Sequence, residues 1–205
     1  MTLDEMTYQK NLIQVSRAEL LDRAQARLSK KRFRHLLGVE EAAVHLADRY
    51  GEDKERASIA ALLHDYAKEA SLDELQAFAD HPGYDPDWPE AGNAIWHGPL
   101  AVLMAKRDLG LDDRLIEQAV WNHTLGSLAW TDLDKILYIA DYIEANRDFP
   151  GVKEARKVAE KSLDAAVDYK IRHSLMHLLE TRKPIHPQTI AVYNQWVQAH
   201  EEDAF

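Results

Sequence analysis

The chain contains no cysteine. Disulfides, iron–sulfur clusters and thiol catalysis are therefore excluded. No run approaches the roughly 20 consecutive apolar residues that a membrane span requires, so no membrane partner is expected. The opening segment, Met1-Thr2-Leu3-Asp4-Glu5, is acidic and lacks the charged-then-apolar layout of a secretion signal. Basic charge is in deficit as well: 25 Lys and Arg stand against 35 Asp and Glu, a formal net charge of −10. A general nucleic-acid binder needs a broad basic face, so no nucleic-acid partner is expected either. Internal repeats, low-complexity tracts and strand-like alternation are also missing. These absences lead to the expectation of a cytoplasmic protein. Any polyanionic substrate would have to be met by local positive charge, from metal ions and a few placed Lys or Arg.

What is present is helical periodicity along nearly the whole chain. The 205 residues, 46% hydrophobic and 29% charged, suffice for one sizeable core, and a single domain is expected. Ser16-Arg17-Ala18-Glu19 is a capping-box pattern for a helix running to about residue 28. A second helix over about 29–49 should stop at Gly51. Asp53 suits the N-cap of a third. Ser71-Leu72-Asp73-Glu74 repeats the capping box for a short helix ending near Asp80, and 81–89 reads as a loop from its Pro and Gly content. Further helices are expected at about 93–109, 113–123, 132–146, 152–181 and 187–199. The 152–181 block is long enough to contain a break that its sequence does not place. The expected architecture is all-α, a helical bundle, with a catalytic core of about 17–170 and a helical extension of about 171–205.

Six metal-ligand side chains are strung through this pattern: His35, His64, Asp65, His97, His123 and Asp141. His64-Asp65 closes the apolar stretch Ala60-Ala61-Leu62-Leu63 on a helix that should be buried. Two ionisable residues there are costly unless something binds them. A metal does so, because neutral imidazole and ionised carboxylate are the forms it takes as ligands. Consecutive helical residues lie about 100° apart, so His64 and Asp65 can serve one ion or two adjacent ions. Lys68, one turn on, projects over the same face. Four imidazoles and two carboxylates exceed what one tetrahedral zinc uses and suit two six-coordinate first-row ions. Successive ligand groups stand 18 to 32 residues apart, so the fold makes the site, and catalysis is the expected role.

The order His…His-Asp…Asp on an all-α chain resembles the HD superfamily of metal-dependent phosphohydrolases, and the interposed His97 and His123 resemble its binuclear branch. Four longer words are similar to the YqeK family: Arg32-Phe33-Arg34-His35-Leu36-Leu37-Gly38-Val39, Leu62-Leu63-His64-Asp65-Tyr66-Ala67-Lys68, His123-Thr124-Leu125-Gly126, and Leu133-Asp134-Lys135-Ile136 through Ala140-Asp141-Tyr142-Ile143-Glu144. The likeness spans about residues 17–170. It departs at Leu125, where the family often has Thr, and at Ala145, where a Pro is common. The resemblance implies symmetrical hydrolysis of diadenosine tetraphosphate to two ADP, with a hydroxide bridging two metals as nucleophile. Iron is the implied metal, and Mn²⁺ or another divalent ion is the alternative.

On this reading His35, His64, Asp65 and Asp141 hold one ion, while His97 and His123, with Asp65 bridging, hold the second. Lys68 and Arg147 would steady charge on phosphate oxygens, with Arg32 as a third cation. Thr124 and Gly126 would offer a hydroxyl and backbone N–H groups to a phosphate. Glu144 would orient Arg147 or a ligand imidazole from behind. Tyr84, Trp88 and Trp96 are candidate surfaces for adenine, and the sequence does not choose among them. The substrate is thus a small nucleotide, and a homodimer is a reasonable assembly. The same ligands would also serve a hydrolase of a nucleoside monophosphate, a dNTP or a guanosine alarmone. The non-enzymatic alternative is a nucleotide-sensing HD domain.

Overall fold

The computed structural model describes residue 3 and residues 6–200. Most of the acidic opening segment and the acidic tail Glu201-Glu202-Asp203 lie outside the described residues. The described residues form helices α1 (Arg17–Arg27), α2 (Lys30–Tyr50), α3 (Lys54–His64), α4 (Leu72–Gln76), α5 (Trp88–Ala91), α6 (Asn93–Leu109), α7 (Arg114–Asn122), α8 (Asp132–Ile143), α9 (Val152–Ala159), α10 (Leu163–Glu180) and α11 (Pro187–Ala199). No strand occurs among them, as the all-α reading expects. None of these helices is long and apolar enough to cross a membrane.

Helix starts follow side-chain chemistry. Asp53 accepts from the Glu55 and Arg56 N–H groups and opens α3. Ser71 and Glu74 form a reciprocal capping box at α4. At α1 only half of the expected box forms, because Glu19 turns to pair with Arg23 one turn on. Gly51 takes the left-handed conformation that ends α2.

Four boundaries differ from expectation. The short helix expected to end near Asp80 stops at Gln76. The 152–181 block breaks after Ala159 and restarts at α10, whose N-cap Ser162 accepts from the Ala165 N–H. The loop over 81–89 gives way at its end to the short α5, with Pro89 in the first turn, where proline costs no helical hydrogen bond. Helix α8 stops at Ile143, and Glu144 turns extended, with ψ 156°. In addition, the divide expected at 170/171 falls inside α10, which runs through it unbroken.

The core is organised around α3, where every residue from Ala57 to His64 is buried. It packs against α2, α6, α7 and α8. The C-terminal end of α3 therefore lies where all of these helices meet. Helix α10 covers α8 and α9 from the outside, and α11 packs on α10.

Candidate metal centre

All six expected ligands converge at that meeting point. His35 comes from α2, His64 ends α3, Asp65 is its C-cap, His97 lies in α6, His123 caps α7 and Asp141 lies in the last turn of α8. The ligand atoms of His35, His64 and Asp141 lie within 4.8 Å of one another, and so do those of Asp65, His97 and His123. Asp65 faces both groups. Its Oδ1 is 3.2 Å from His97 Nε2, while its Oδ2 is 3.7 Å from His64 Nε2 and 3.8 Å from His35 Nε2.

The imidazoles share one arrangement. His64, His97 and His123 each direct Nδ1 at a backbone carbonyl of their own helix: Ala61 at 2.6 Å, Asn93 at 2.8 Å and Val120 at 2.7 Å. A carbonyl only accepts, so each Nδ1 carries the proton and each Nε2 presents a lone pair to the centre. His35 Nδ1 lies 3.1 Å from Glu144 Oε1, and its Nε2 also points inward, 3.2 Å from Asp141 Oδ1. His64 Nε2 is buried with no hydrogen-bond partner among the described residues. The four inward nitrogens and two carboxylates form a donor set that a pair of first-row metal ions fits.

Electrostatics favour the binding forms of Asp65, Asp141, His64 and His123, whereas at His35 burial opposes charge but Asp141 and Glu144 raise the imidazole toward its protonated form. Burial would raise the Asp65 carboxyl, but His64, His97 and Lys68 hold it well below the usual carboxylate range. Burial likewise opposes ionisation of Asp141, and His35, Lys170 and Arg147 overcome it. Burial pushes His64 and His123 below the ordinary imidazole value, the direction that favours the neutral form a metal binds.

The expected cations take different places. Lys68 Nζ stands 3.2 Å from His97 Nε2 and 3.8 Å from Asp65 Oδ1. Arg32 Nη1 reaches Asp65 Oδ2 at 3.4 Å. Arg147 grips Asp141 twice, donating from Nε to its backbone carbonyl at 2.9 Å and from Nη2 to Oδ1 at 2.5 Å. Arg32 and Arg147, with Lys31 and Arg34, line a cavity of about 560 Å³ that opens beside His35. Glu69 and Glu144 also line it, so the four cations leave a local excess of positive charge on a chain of net charge −10.

Thr124 Oγ1 lies 3.2 Å from His123 Nε2, so its hydroxyl is at the centre. Gly126 is not free to serve a phosphate. Its N–H donates to the Asn122 carbonyl at 2.8 Å, and its own carbonyl accepts from Gln188 Nε2 at 2.9 Å. Its φ of +86° and the 2.8 Å from its would-be Cβ to Val192 explain a glycine there. Of the aromatic candidates, Trp96 is buried in α6 at 2% exposure, and Trp88 packs edge-on to Tyr84.

Two participants escape sequence reasoning. Lys170 of α10 is only 6% exposed, and its Nζ donates to the Tyr138 carbonyl at 2.6 Å while sitting 3.7 Å from Asp141 Oδ2. Nothing in its local sequence separates it from a surface helix lysine. Gly38 lies where a Cβ would run into Glu144 Oε2. A glycine inside a helix costs about 1 kcal/mol against alanine, and that cost was the available signal.

An all-helical bundle with such a paired His/Asp centre defines a class of metal-dependent hydrolase folds. The HD domain family profile matches residues 32–146, more than half of the chain, and the chain belongs to that family. It is 36% identical to the symmetrical bis(5'-nucleosyl)-tetraphosphatase of Bacillus subtilis (strain 168), over 88% of this chain and 97% of that protein. The protein of the same name from Staphylococcus aureus (strain NCTC 8325 / PS 47) is 29% identical over 87% of this chain and 93% of that one. Among solved structures, a Clostridium acetobutylicum protein described as a predicted HD superfamily hydrolase involved in NAD metabolism superposes with a TM-score of 0.84. It is 34% identical, and the match covers 90% of this chain and 98% of that one.

Proposed function

We propose that this chain hydrolyses diadenosine tetraphosphate symmetrically, adding one water across the central linkage to yield two ADP. The observation that carries the reading is the set of inward-facing imidazole Nε2 atoms around Asp65, opening onto a cavity lined by four cations. The shared names of relatives that align over nearly their full length support the same substrate.

Two metal ions, iron on our reading, would be held by His35, His64 and Asp141 on one side and by His97 and His123 on the other, with Asp65 between them. They would supply an acidified water and neutralise phosphoryl oxygens. The remaining work falls to side chains. Symmetrical cleavage requires the broken bond to join the central oxygen to a phosphorus beside it. Two phosphates of one half must therefore be held against the centre. Arg32 and Arg147 face the cavity where those oxygens would lie, and Lys68 sits beside His97. The leaving diphosphate departs as an anion, so cations rather than a proton donor are what the step needs. Arg147 does two jobs, since it also holds Asp141 in place. Thr124 adds a hydroxyl beside His123. Glu144 behind His35 fixes the proton on Nδ1 and leaves Nε2 for the metal.

The test is anaerobic purification with metal analysis, followed by incubation with diadenosine tetraphosphate and chromatography. Two ADP per substrate, lost in His64→Ala and Asp65→Ala, is the expected result. AMP with ATP would overturn the cleavage position. No turnover by protein carrying about two metals per chain would reject the substrate.

A further inference from the structure

A cleft that shares no lining residue with the cationic cavity has different chemistry. Its volume is about 380 Å³, within the range of about 300–1,000 Å³ usual for small-molecule sites. Ile95 of α6, Leu125 after α7, and Ile171 and Leu178 of α10 supply apolar walls, while Ser174 and Thr189 supply hydroxyls. Thr124 joins the cleft to the centre, because it lines the one and its Oγ1 lies 3.2 Å from His123 Nε2 in the other. A second cavity of about 270 Å³, lined by Trp88 and Trp121, shares the Ile95 and Leu125 wall.

We propose that this cleft is the nucleoside subsite for one half of the substrate, holding a purine base between the Ile95–Leu125 wall and α10. The inference rests on the proposed dinucleotide reaction and adds the place and chemistry of base recognition. A purine has two apolar faces and a polar edge, matching apolar walls that carry a few hydroxyls. A phosphate chain anchored at the centre leaves it on two sides. One side is lined by Arg32, Arg34 and Arg147, whose charges draw phosphates. The other passes Thr124 into the apolar cleft. The two chemically identical halves of the substrate therefore meet unlike surroundings: one is held through its base and the other chiefly through its phosphates.

The experiment compares binding of ADP and of inorganic pyrophosphate to metal-loaded protein by titration calorimetry. Ala94→Trp introduces a large side chain from an exposed position on the cleft wall, and Leu178→Asp places a charge on the half-buried opposite wall. Both variants are expected to weaken ADP by about tenfold or more and to leave pyrophosphate within about twofold. Unchanged ADP affinity in both variants would overturn the subsite. So would an equal loss for both ligands, since the cleft would then contribute nothing that depends on the base. Both ligands are read by direct binding. A wild-type protein that fails to cut diadenosine tetraphosphate therefore rejects the proposed reaction without deciding this test.

Discussion

His97 Nε2 and His123 Nε2 face each other at 2.9 Å, although each ring already donates its Nδ1 proton to a backbone carbonyl. Two neutral lone pairs at that distance repel, and burial disfavours protonating His123 to relieve them. A cation accepted by both nitrogens and by Asp65 resolves the conflict. Metal-depleted protein should therefore gain thermal stability on adding Fe²⁺ or Mn²⁺, read by calorimetry. His123→Ala should lower bound metal from about two to about one per chain and reduce turnover by about a thousandfold. Full metal content in that variant would reject the grouping.

Glu144 and Gly38 make a coupled prediction. Glu144 Oε1 holds His35 Nδ1, while Oε2 accepts from the Asn146 backbone N–H at 2.6 Å and from its side-chain Nδ2 at 2.9 Å. Glu144→Gln should weaken metal binding by about 10–100-fold. Gly38→Ala should do much the same without touching any ligand, because its methyl would displace the carboxylate from those bonds. Metal competition with a chelator measures both. An alanine variant with wild-type affinity would show that Glu144 yields without disturbing His35.

The contrast between those two residues shows how far the sequence could be read. The six candidate ligands could be singled out in the sequence because His64-Asp65 closes a buried apolar run and because the words around His35, His64-Asp65, His123 and Asp141 agree with one family, while His97 stands outside those words. Glu144 was legible as a supporting residue, since it stands one turn past Asp141. Its partner was left open between Arg147 and a ligand imidazole, and only the extended backbone at Glu144 sends it to His35. The break before α10 was hidden because Ser162 is followed by Ala165 at the position where a capping box would show Glu or Gln. Gly126 was misjudged because one residue in a turn does not reveal whether its N–H is already spent.

Lys170 provides a prediction that sequence alone would not suggest. Its ammonium is buried against the Tyr138 ring, 3.6 Å from the centroid, and burial lowers its pKa to about 8. It faces the Asp141 oxygen that Arg147 does not hold, so the carboxylate is fixed from both sides. Lys170→Met keeps the apolar length and removes the charge. Turnover is expected to fall by about 10–100-fold and metal affinity to weaken, with KM changed little because Lys170 reaches no substrate surface. A rise in KM at unchanged turnover would instead make it a substrate contact.

The cationic residues should separate in their kinetic effects. Lys68→Met removes a charge beside His97 that makes no bond to a neighbouring carboxylate shorter than 3.8 Å. It should lower turnover by about 100-fold or more while leaving metal content intact. Arg147→Met also releases Asp141, so it should lower both turnover and metal content. Metal analysis beside steady-state kinetics distinguishes them, and identical metal loss in both variants would reject a substrate-facing role for Lys68.

The buried histidines give the metal-free protein a defined pH dependence. His64 and His123 are held below the ordinary imidazole value of 6.5, chiefly by burial. Below about pH 6.5 the unfolded chain binds protons that the folded one refuses, so their contribution to stability is complete above that pH and is lost as pH falls. His35 acts in the opposite sense. Burial opposes its charge, but Asp141 and Glu144 raise its pKa, so its contribution is present below about 6.5 and is lost as pH rises through the folded value. Asp65 and Asp141 contribute above the ordinary carboxylate value of 3.8 and change nothing in this window. Two histidines against one predict a net fall in Tm as metal-free protein is taken from about pH 7.5 to about pH 5, at roughly 2–4 °C per kcal/mol for a chain of this size. His123→Asn should flatten that slope by removing one of the two groups, and His35→Asn should steepen it. A Tm that rises steadily toward pH 5 in the wild type would show that the His35 pairing outweighs the burial of the other two.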